Sequence, residues 1–430
     1  MVHWGPMSTF HSEEQYLREL ESRSELPEGF AVATTTLDFI SQERGQKLSM
    51  NLAAIVADQA TSNFSGVFTN NRFCGAPILI GRRRVREERL RAVLINNRIA
   101  NVGAQGGVED AEFLCDALGA LIDEPGQRVV PASTGIVGWK LPVREMRDAL
   151  PSLIEGLHKD SALPLARAIM TTDSYPKVHR EEVGQGCILG IAKGAGMIEP
   201  HMGTMLVFLL TDVTMNRQQL NRCLTHCVQR TFNRISVDSD QSTSDMALLL
   251  CSGAKPEVPE AEFRTALERV CARLAEDVVR NGEGVGHVIR VRVTAAAEEN
   301  IAVAAGKAVV NSPLVKTAVF GNDPNVGRIV AALGDCADSE DFALNLNNLR
   351  VNLGGMEIFA DGCFRLDTEK ESRLNQYLKE CALDPAARGF PVHDRRVELE
   401  INLGAGEAEA EVLGADLSYQ YVNENADYRS

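Results

Sequence analysis

Apolar residues along this chain fall into short runs broken by glycine, proline and charged positions. Residues 52–57, 92–95, 129–130, 205–210 and 247–251 form runs too short for helices and bounded by polar turns, which predicts buried strands. Helical spacing recurs between them. Leu220, Cys223, Leu224, Cys227, Val228, Thr231 and Phe232 return every three or four positions. Phe263, Leu267, Val270, Leu274 and Val278 do the same, in a stripe closed by Asn281-Gly282, a helix stop. Later the period drops to two. Ile289, Val291 and Val293 alternate with Arg290 and Arg292, and Val397, Leu399, Ile401 and Leu403 repeat the pattern, so half-exposed strands are expected. The acidic alternation Glu407, Glu409, Glu411 is expected to be a solvated strand face. Strands mixed with helices in this way make an α/β protein.

Length and composition narrow the picture. A chain of 430 residues exceeds one ordinary core, and the expected division is an extension over 1–28, a large α/β domain over 29–310 and a smaller one over 311–430. Ser12 and Gln15 are spaced as a capping box for a short helix inside that extension. With 44% hydrophobic and 24% charged residues the chain reads as soluble and globular. No run approaches the length of a membrane span and no secretory leader is visible, which predicts a cytoplasmic protein without a membrane partner. A net charge of −15 argues against nucleic acid as a partner. The ten cysteines contain no Cys-x-x-Cys pair, and Cys223 and Cys227 lie on a helical apolar stripe, so core packing is preferred to a metal site. The eight histidines form no ligand motif, and no metal is expected.

The chemistry concentrates in Lys193-Gly-Ala-Gly-Met-Ile-Glu-Pro-His-Met-Gly203-Thr204-Met-Leu. It places a threonine between a Gly/Pro-punctuated loop and an apolar strand. A threonine hydroxyl is a weak nucleophile without an adjacent base. Cleaving the chain just before it frees its own α-amine, whose ordinary pKa of roughly 7.7–8.0 suits a proton acceptor near neutrality. On this reading the protein is made as one chain and works as two, 1–203 and 204–430.

That segment resembles the Lys-Gly-Ser-Gly-Met-Ile-x-Pro-Asn-Met-Ala-Thr-Met-Leu signature of the ornithine acetyltransferases, or glutamate N-acetyltransferases. Further matches follow in order from about residue 29 to the end. Ser133-Thr134-Gly135-Ile-Val-Gly138 is similar to the segment whose Thr and Gly form the family's oxyanion hole, a role the resemblance assigns to Thr134 and Gly135. Ile-Met-Thr-Thr-Asp173 implies a substrate contact at Thr172, with Thr171 as the second choice. Lys193 opens the nucleophile motif, and its cation suits an α-carboxylate. Glu283, in Asn281-Gly-Glu-Gly284, is implied to meet a substrate ammonium, and Asn425 and Ser430 are implied substrate contacts. Ser312-Pro-Leu-Val-Lys-Thr-Ala-Val-Phe-Gly-Asn-Asp-Pro-Asn-Val-Gly-Arg328 is a further long match, read as structural.

The resemblance implies a layered α/β/β/α nucleophile domain with a smaller C-terminal α/β domain, self-cleavage between Gly203 and Thr204, and α and β chains assembled as α2β2. It implies acetyl transfer from N2-acetylornithine to glutamate through acetyl-Thr204, within arginine biosynthesis. It implies no cofactor, with acetyl-CoA left open as a co-substrate. A hydrolase of the same self-processing type, or a paralogue with a shifted substrate, is the alternative. The chain departs from the family pattern at several places. Arg98 and Ser239 stand where the signature has Gly, Ile99 replaces a polar residue, His287 a Lys, Val326 a Trp, Gly203 an Ala and Glu424 an apolar residue. Arg98 is expected to forbid a left-handed turn, and loss of polarity at Ile99 or His287 would favour the hydrolase.

Overall fold

The computed structural model describes residues 4, 7–199, 205–339, 342–383 and 388–426. By its internal contacts the chain forms two units, one of residues 14–233 and 240–278, the other of 1–13, 234–239 and 279–430.

In the first unit, helix α1 (Glu13–Ser22) precedes strands β1 (Phe30–Ile40), β2 (Lys47–Thr61) and β3 (Phe64–Phe68). Then come α2 (Ala76–Arg84), β4 (Leu90–Asn96), α3 (Gly107–Leu121), β5 (Val129–Ser133), α4 (Val143–Glu155) and α5 (Leu163–Ala168). The chain continues through β6 (Lys177–Val183), β7 (Gly186–Lys193), β8 (Leu206–Val213) and α6 (Arg217–Arg230). The short strand β9 (Ile235–Ser236) belongs to the second unit, after which β10 (Met246–Lys255) and α7 (Glu260–Arg280) follow.

Two sheets result, one ordered β1-β2-β4-β5 and the other β3-β10-β8-β7-β6. On β2, Leu52, Ala54 and Val56 join a core with Leu114, Leu118, Met146 and Leu150 of α3 and α4. The intervening Ala53, Ile55 and Ala57 are equally buried, because that face is turned to the second sheet, with β2 against β10. Burial on both faces is why these strands read as continuous apolar runs rather than alternations. On the far side of the second sheet α6 lies on β3. Helix α7 lies on β7 so closely that a Cβ at Gly190 would stand 2.4 Å from Val270. The layers are therefore α/β/β/α.

The second unit is a seven-stranded sheet ordered β14-β13-β12-β15-β11-β16-β9. Its strands are β9, β11 (Val288–Ala296), β12 (Arg350–Leu353), β13 (Met356–Ala360), β14 (Cys363–Phe364), β15 (Val397–Asn402) and β16 (Ala408–Ala415). Its helices are α8 (Glu299–Asn311), α9 (Pro313–Phe320), α10 (Val326–Ser339), α11 (Thr368–Cys381) and α12 (Tyr419–Ala426). Ala302, Ala305 and Val309 of α8 share one core with Val291, Val293, Leu399, Ile401 and Val412.

Three expectations change here. The boundary falls at residue 279 rather than 310, because β11 and α8 are inseparable from the sheet and core they build. Residues 14–28 are no appendage: Tyr16 and Leu20 are fully buried, and the Tyr16 hydroxyl donates to the Pro176 carbonyl at 2.6 Å. Glu411 is not solvated but buried, pairing with Arg290 at 2.7 Å, while Arg292 and Glu409 form the outer rung of the same ladder. Cys223 and Cys227 lie in the packed face of α6. Among the described residues every cysteine is free, no cluster of three metal-ligating side chains occurs, and no helix is long and apolar enough to cross a membrane.

Candidate active site

Gly203 and Thr204, the expected cleavage pair and nucleophile, lie outside the described residues, as does Ser430. The strands on either side of that segment are well defined. β7 ends at Lys193 and β8 begins at Leu206, and the two pair antiparallel from Ile188↔Thr211 to Lys193↔Leu206.

Lys193 is 2% exposed, and its Nζ donates to Thr134 Oγ1 at 3.1 Å across a separation of 59 residues. An ammonium cannot accept, so the threonine oxygen is the acceptor and keeps its own proton to give. Thr134 follows directly on β5, and its N–H is bonded to the Asn96 carbonyl at 3.1 Å. The next amide but one, Ile136 N–H, goes to the Arg98 carbonyl at 2.9 Å. Between them the Gly135 N–H has no acceptor among the described residues. A hydroxyl and an unused N–H thus stand side by side, the donor pair that a developing oxyanion needs.

Glycine is required at this position. Gly135 has φ +121°, and a Cβ there would lie 2.2 Å from the Arg98 carbonyl carbon. The partner loop is held from below: Ser133 Oγ donates to Asn96 Oδ1 at 2.6 Å, and Asn96 Nδ2 to the Ile99 carbonyl at 2.8 Å. Ile99 is fully buried in the core under the first sheet, so its side chain serves packing. Arg98 overturns its expectation, since it takes φ +73° and keeps the left-handed turn despite its Cβ. Ser239 does the same at φ +67°. Both turns outlast the loss of glycine, at a cost of order 1 kcal/mol each.

Two buried carboxyls surround Lys193. Asp173 Oδ1 accepts from Lys177 Nζ at 2.5 Å and from the Gly194 N–H at 2.8 Å. Burial alone would raise this carboxyl, but the charges of Lys177 and Lys193 and those two bonds hold it well below the ordinary carboxylate range. Asp245 behaves oppositely. Its burial is complete and pushes its pKa well up, against the weaker pull of the Met205 N–H, the Ser242 and Thr69 hydroxyls and the Lys193 charge. Its Oδ1 accepts the Met205 N–H at 2.7 Å, so it grips the amide that follows Thr204 in sequence. Asp173, Lys177 and Asp245 had no role assigned from sequence. The only signals were the terminal Asp of two motifs, Ile-Met-Thr-Thr-Asp173 and Val237-Asp-Ser-Asp-Gln-Ser-Thr-Ser-Asp245. Thr172, the expected substrate contact, is exposed beside Asp173.

In the second unit Glu283 and Asn425 come together, Asn425 Nδ2 donating to Glu283 Oε2 at 2.8 Å across 142 residues. The loop that carries Glu283 is tied to the start of α12, where Ser418 Oγ donates to the Gly284 carbonyl at 2.6 Å. A Cβ at Gly284 would stand 2.3 Å from the Tyr421 nitrogen, which explains the second glycine of Gly-Glu-Gly. His287, the replacement for a lysine, is buried between acceptors: Nδ1 meets Asp416 Oδ2 at 2.7 Å, and Nε2 meets the Leu378 carbonyl at 3.1 Å. Both nitrogens are therefore engaged inside the second unit's core, where the ring ties the start of β11 to Asp416 and to α11. Arg328 braces the turn ahead of α10 by donating to the Leu314 carbonyl at 2.8 Å. Val326 lines a surface cavity of about 530 Å³ with Asp323, Phe364, Leu366 and Glu371.

Residues 39–430 match the model of the ArgJ family. The arginine biosynthesis bifunctional protein ArgJ of Methylococcus capsulatus is 41% identical over 85% of this chain and 88% of its own length. Its counterpart in Nitratidesulfovibrio vulgaris is 38% identical over 94% and 99%. The glutamate N-acetyltransferase Oat2 of Streptomyces clavuligerus is 35% identical over 95% and 99%. A solved structure of the Bacillus halodurans ArgJ protein covers 52% of this chain and 100% of its own at 34% identity, with a TM-score of 0.46. The chain belongs to the ArgJ family.

Proposed function

We propose that this enzyme moves an acetyl group from N2-acetylornithine to glutamate through an acetyl ester on Thr204, in arginine biosynthesis. Maturation comes first. The Thr204 hydroxyl attacks the Gly203 carbonyl carbon, the C–N bond breaks as the amide nitrogen takes a proton, and water hydrolyses the resulting ester. Gly203 is left with a carboxylate and Thr204 with a free α-amine. In turnover that amine takes the hydroxyl proton while Oγ1 attacks the acetyl carbonyl. The Thr134 hydroxyl and the Gly135 N–H meet the oxygen that gains charge, ornithine leaves with the proton, and the amine of glutamate then attacks the ester. Thr172, Lys193, Glu283, Asn425 and Ser430 are the proposed substrate contacts.

The observation that carries this reading is the paired, unspent donors of Thr134 and Gly135 beside Lys193 at the end of β7, the strand that leads into the Thr204 segment. The hydrolase alternative loses one of its two motives, since Ile99 is core packing. Assembly as α2β2 in the cytoplasm completes the proposal, with acetyl-CoA as a second acetyl donor to be assayed alongside.

Intact mass of the purified protein beside Thr204→Ala tests the first step, and acetylglutamate formation tests the second. Fragments of 1–203 and 204–430 in the wild type alone, with acetyl passed to glutamate rather than to water, support the proposal. An uncleaved wild type, or release of acetate only, refutes it.

A further inference from the structure

Lys177, Asp173 and Lys193 form a row of alternating charge that the scheme above leaves unused. The side chains of Lys177 and Asp173 are wholly enclosed. Asp173 Oδ1 bridges Lys177 Nζ and the backbone N–H of Gly194, the residue after Lys193, and its Oδ2 takes the Thr171 N–H at 3.1 Å. Here one carboxylate lies among two ammonium groups, and the second ammonium ends on Thr134.

We propose that Asp173, backed by Lys177, is a positioning residue that holds the Lys193 ammonium on the Thr134 hydroxyl, so that Thr134 presents its proton to the oxyanion. A hydroxyl oxygen that accepts from a cation becomes a stronger donor, and the bond also fixes the direction of its remaining proton. This inference rests on the acyl-transfer reading for its kinetic test.

Asp173→Asn keeps the shape and an acceptor for one amide but removes the charge between two lysines. It is expected to lower kcat roughly 100-fold with KM for N2-acetylornithine changed by less than about 3-fold. Asp173→Asn combined with Lys177→Met removes the Lys177 ammonium as well and is expected to regain roughly 10-fold in kcat over the single variant. Lys193→Met leaves the Lys177–Asp173 pair intact, so it remains a readable variant if Asp173→Asn does not fold, and a loss of kcat of the same order is expected. A raised KM with kcat unchanged, or no recovery in the double variant, overturns the proposal.

The ¹⁵Nζ signal of Lys193, assigned by its loss in Lys193→Met, reads the row without turnover. It is expected as a protected ammonium in the wild type and shifted or lost in Asp173→Asn. An unchanged signal sinks the row whatever the kinetics. A signal that responds in a protein that transfers no acetyl group sinks the acyl-transfer reading and leaves the row standing.

Discussion

Thr134 and Lys193 stand at strand ends inside a sheet sandwich, 1% and 2% exposed, whereas Asn425 reaches Glu283 from α12, a helix with no buried residue. Both places bring a charged side chain to a neutral partner, and only the surroundings differ. In the dry region each hydrogen bond is set before any ligand arrives, which is the condition for stabilising a charge that exists only in the transition state. At the Glu283–Asn425 contact one partner is exposed and can exchange its neighbour for a ligand group at small cost. The contrast predicts that the first place governs rate and the second governs affinity.

The strongest way to break that comparison is Thr134→Val, which keeps volume and deletes the donor. It should lower kcat by roughly 10²–10³-fold with KM nearly unchanged. Equal loss in both constants would move Thr134 to ground-state binding. Glu283→Gln should do the reverse, raising KM for the amino-acid substrates roughly 10-fold and lowering kcat only a few-fold. A pure kcat effect would place Glu283 in the chemistry.

Acid should discriminate the dry region too. His179 is held at about 4, chiefly by burial and the Arg23 charge, which together outweigh the Asp277 carboxylate 2.7 Å away. The folded state therefore stays unprotonated where the unfolded chain, near 6.5, already binds a proton. Stability from this site is full above about pH 6.5 and is lost as the pH falls toward about 4, by about 3 kcal/mol in all. Chemical unfolding across that range should show the slope, and His179→Gln should flatten it. The smallest effect belongs to Arg98→Gly, which relieves a left-handed residue and should stabilise by about 1 kcal/mol, read as a rise in Tm. A fall in Tm would mean that the arginine side chain, not its backbone, earns the position.

Most of the sheet sandwich was legible in the sequence because its strands are buried on both faces and keep their apolar runs; β2, β4, β5 and β10 each contain an expected segment, and β8 takes in all but the first residue of another. The division of the chain was not legible. β11 carries the same alternation whichever unit claims it, and only its pairing with β15 and β16 decides. The glycine rule also misled at Arg98, since a signature residue reports a backbone preference that a well-braced loop enforces without glycine. Thr134, Gly135, Lys193, Glu283 and Asn425 were found through family motifs, and two contacts among them appear in the structure. Lys177 escaped because nothing in a sequence reveals that an ammonium is fully enclosed; its carboxylate partner four residues earlier would as readily be a surface pair.

The order β3-β10-β8-β7-β6 has a mechanical consequence for a protein cut at residue 203. The N-terminal product would own β3 on one side and β7 and β6 on the other, with β10 and β8 of the C-terminal product clasped between them. Neither piece would keep this sheet alone. A nick in the connection between β7 and β8 would leave the hydrogen bonds of the pair in place, so a cut enzyme would hold together like an interlaced splice. Once pulled apart, its halves must find each other by diffusion, and renaturation changes from an intramolecular event to a concentration-dependent encounter.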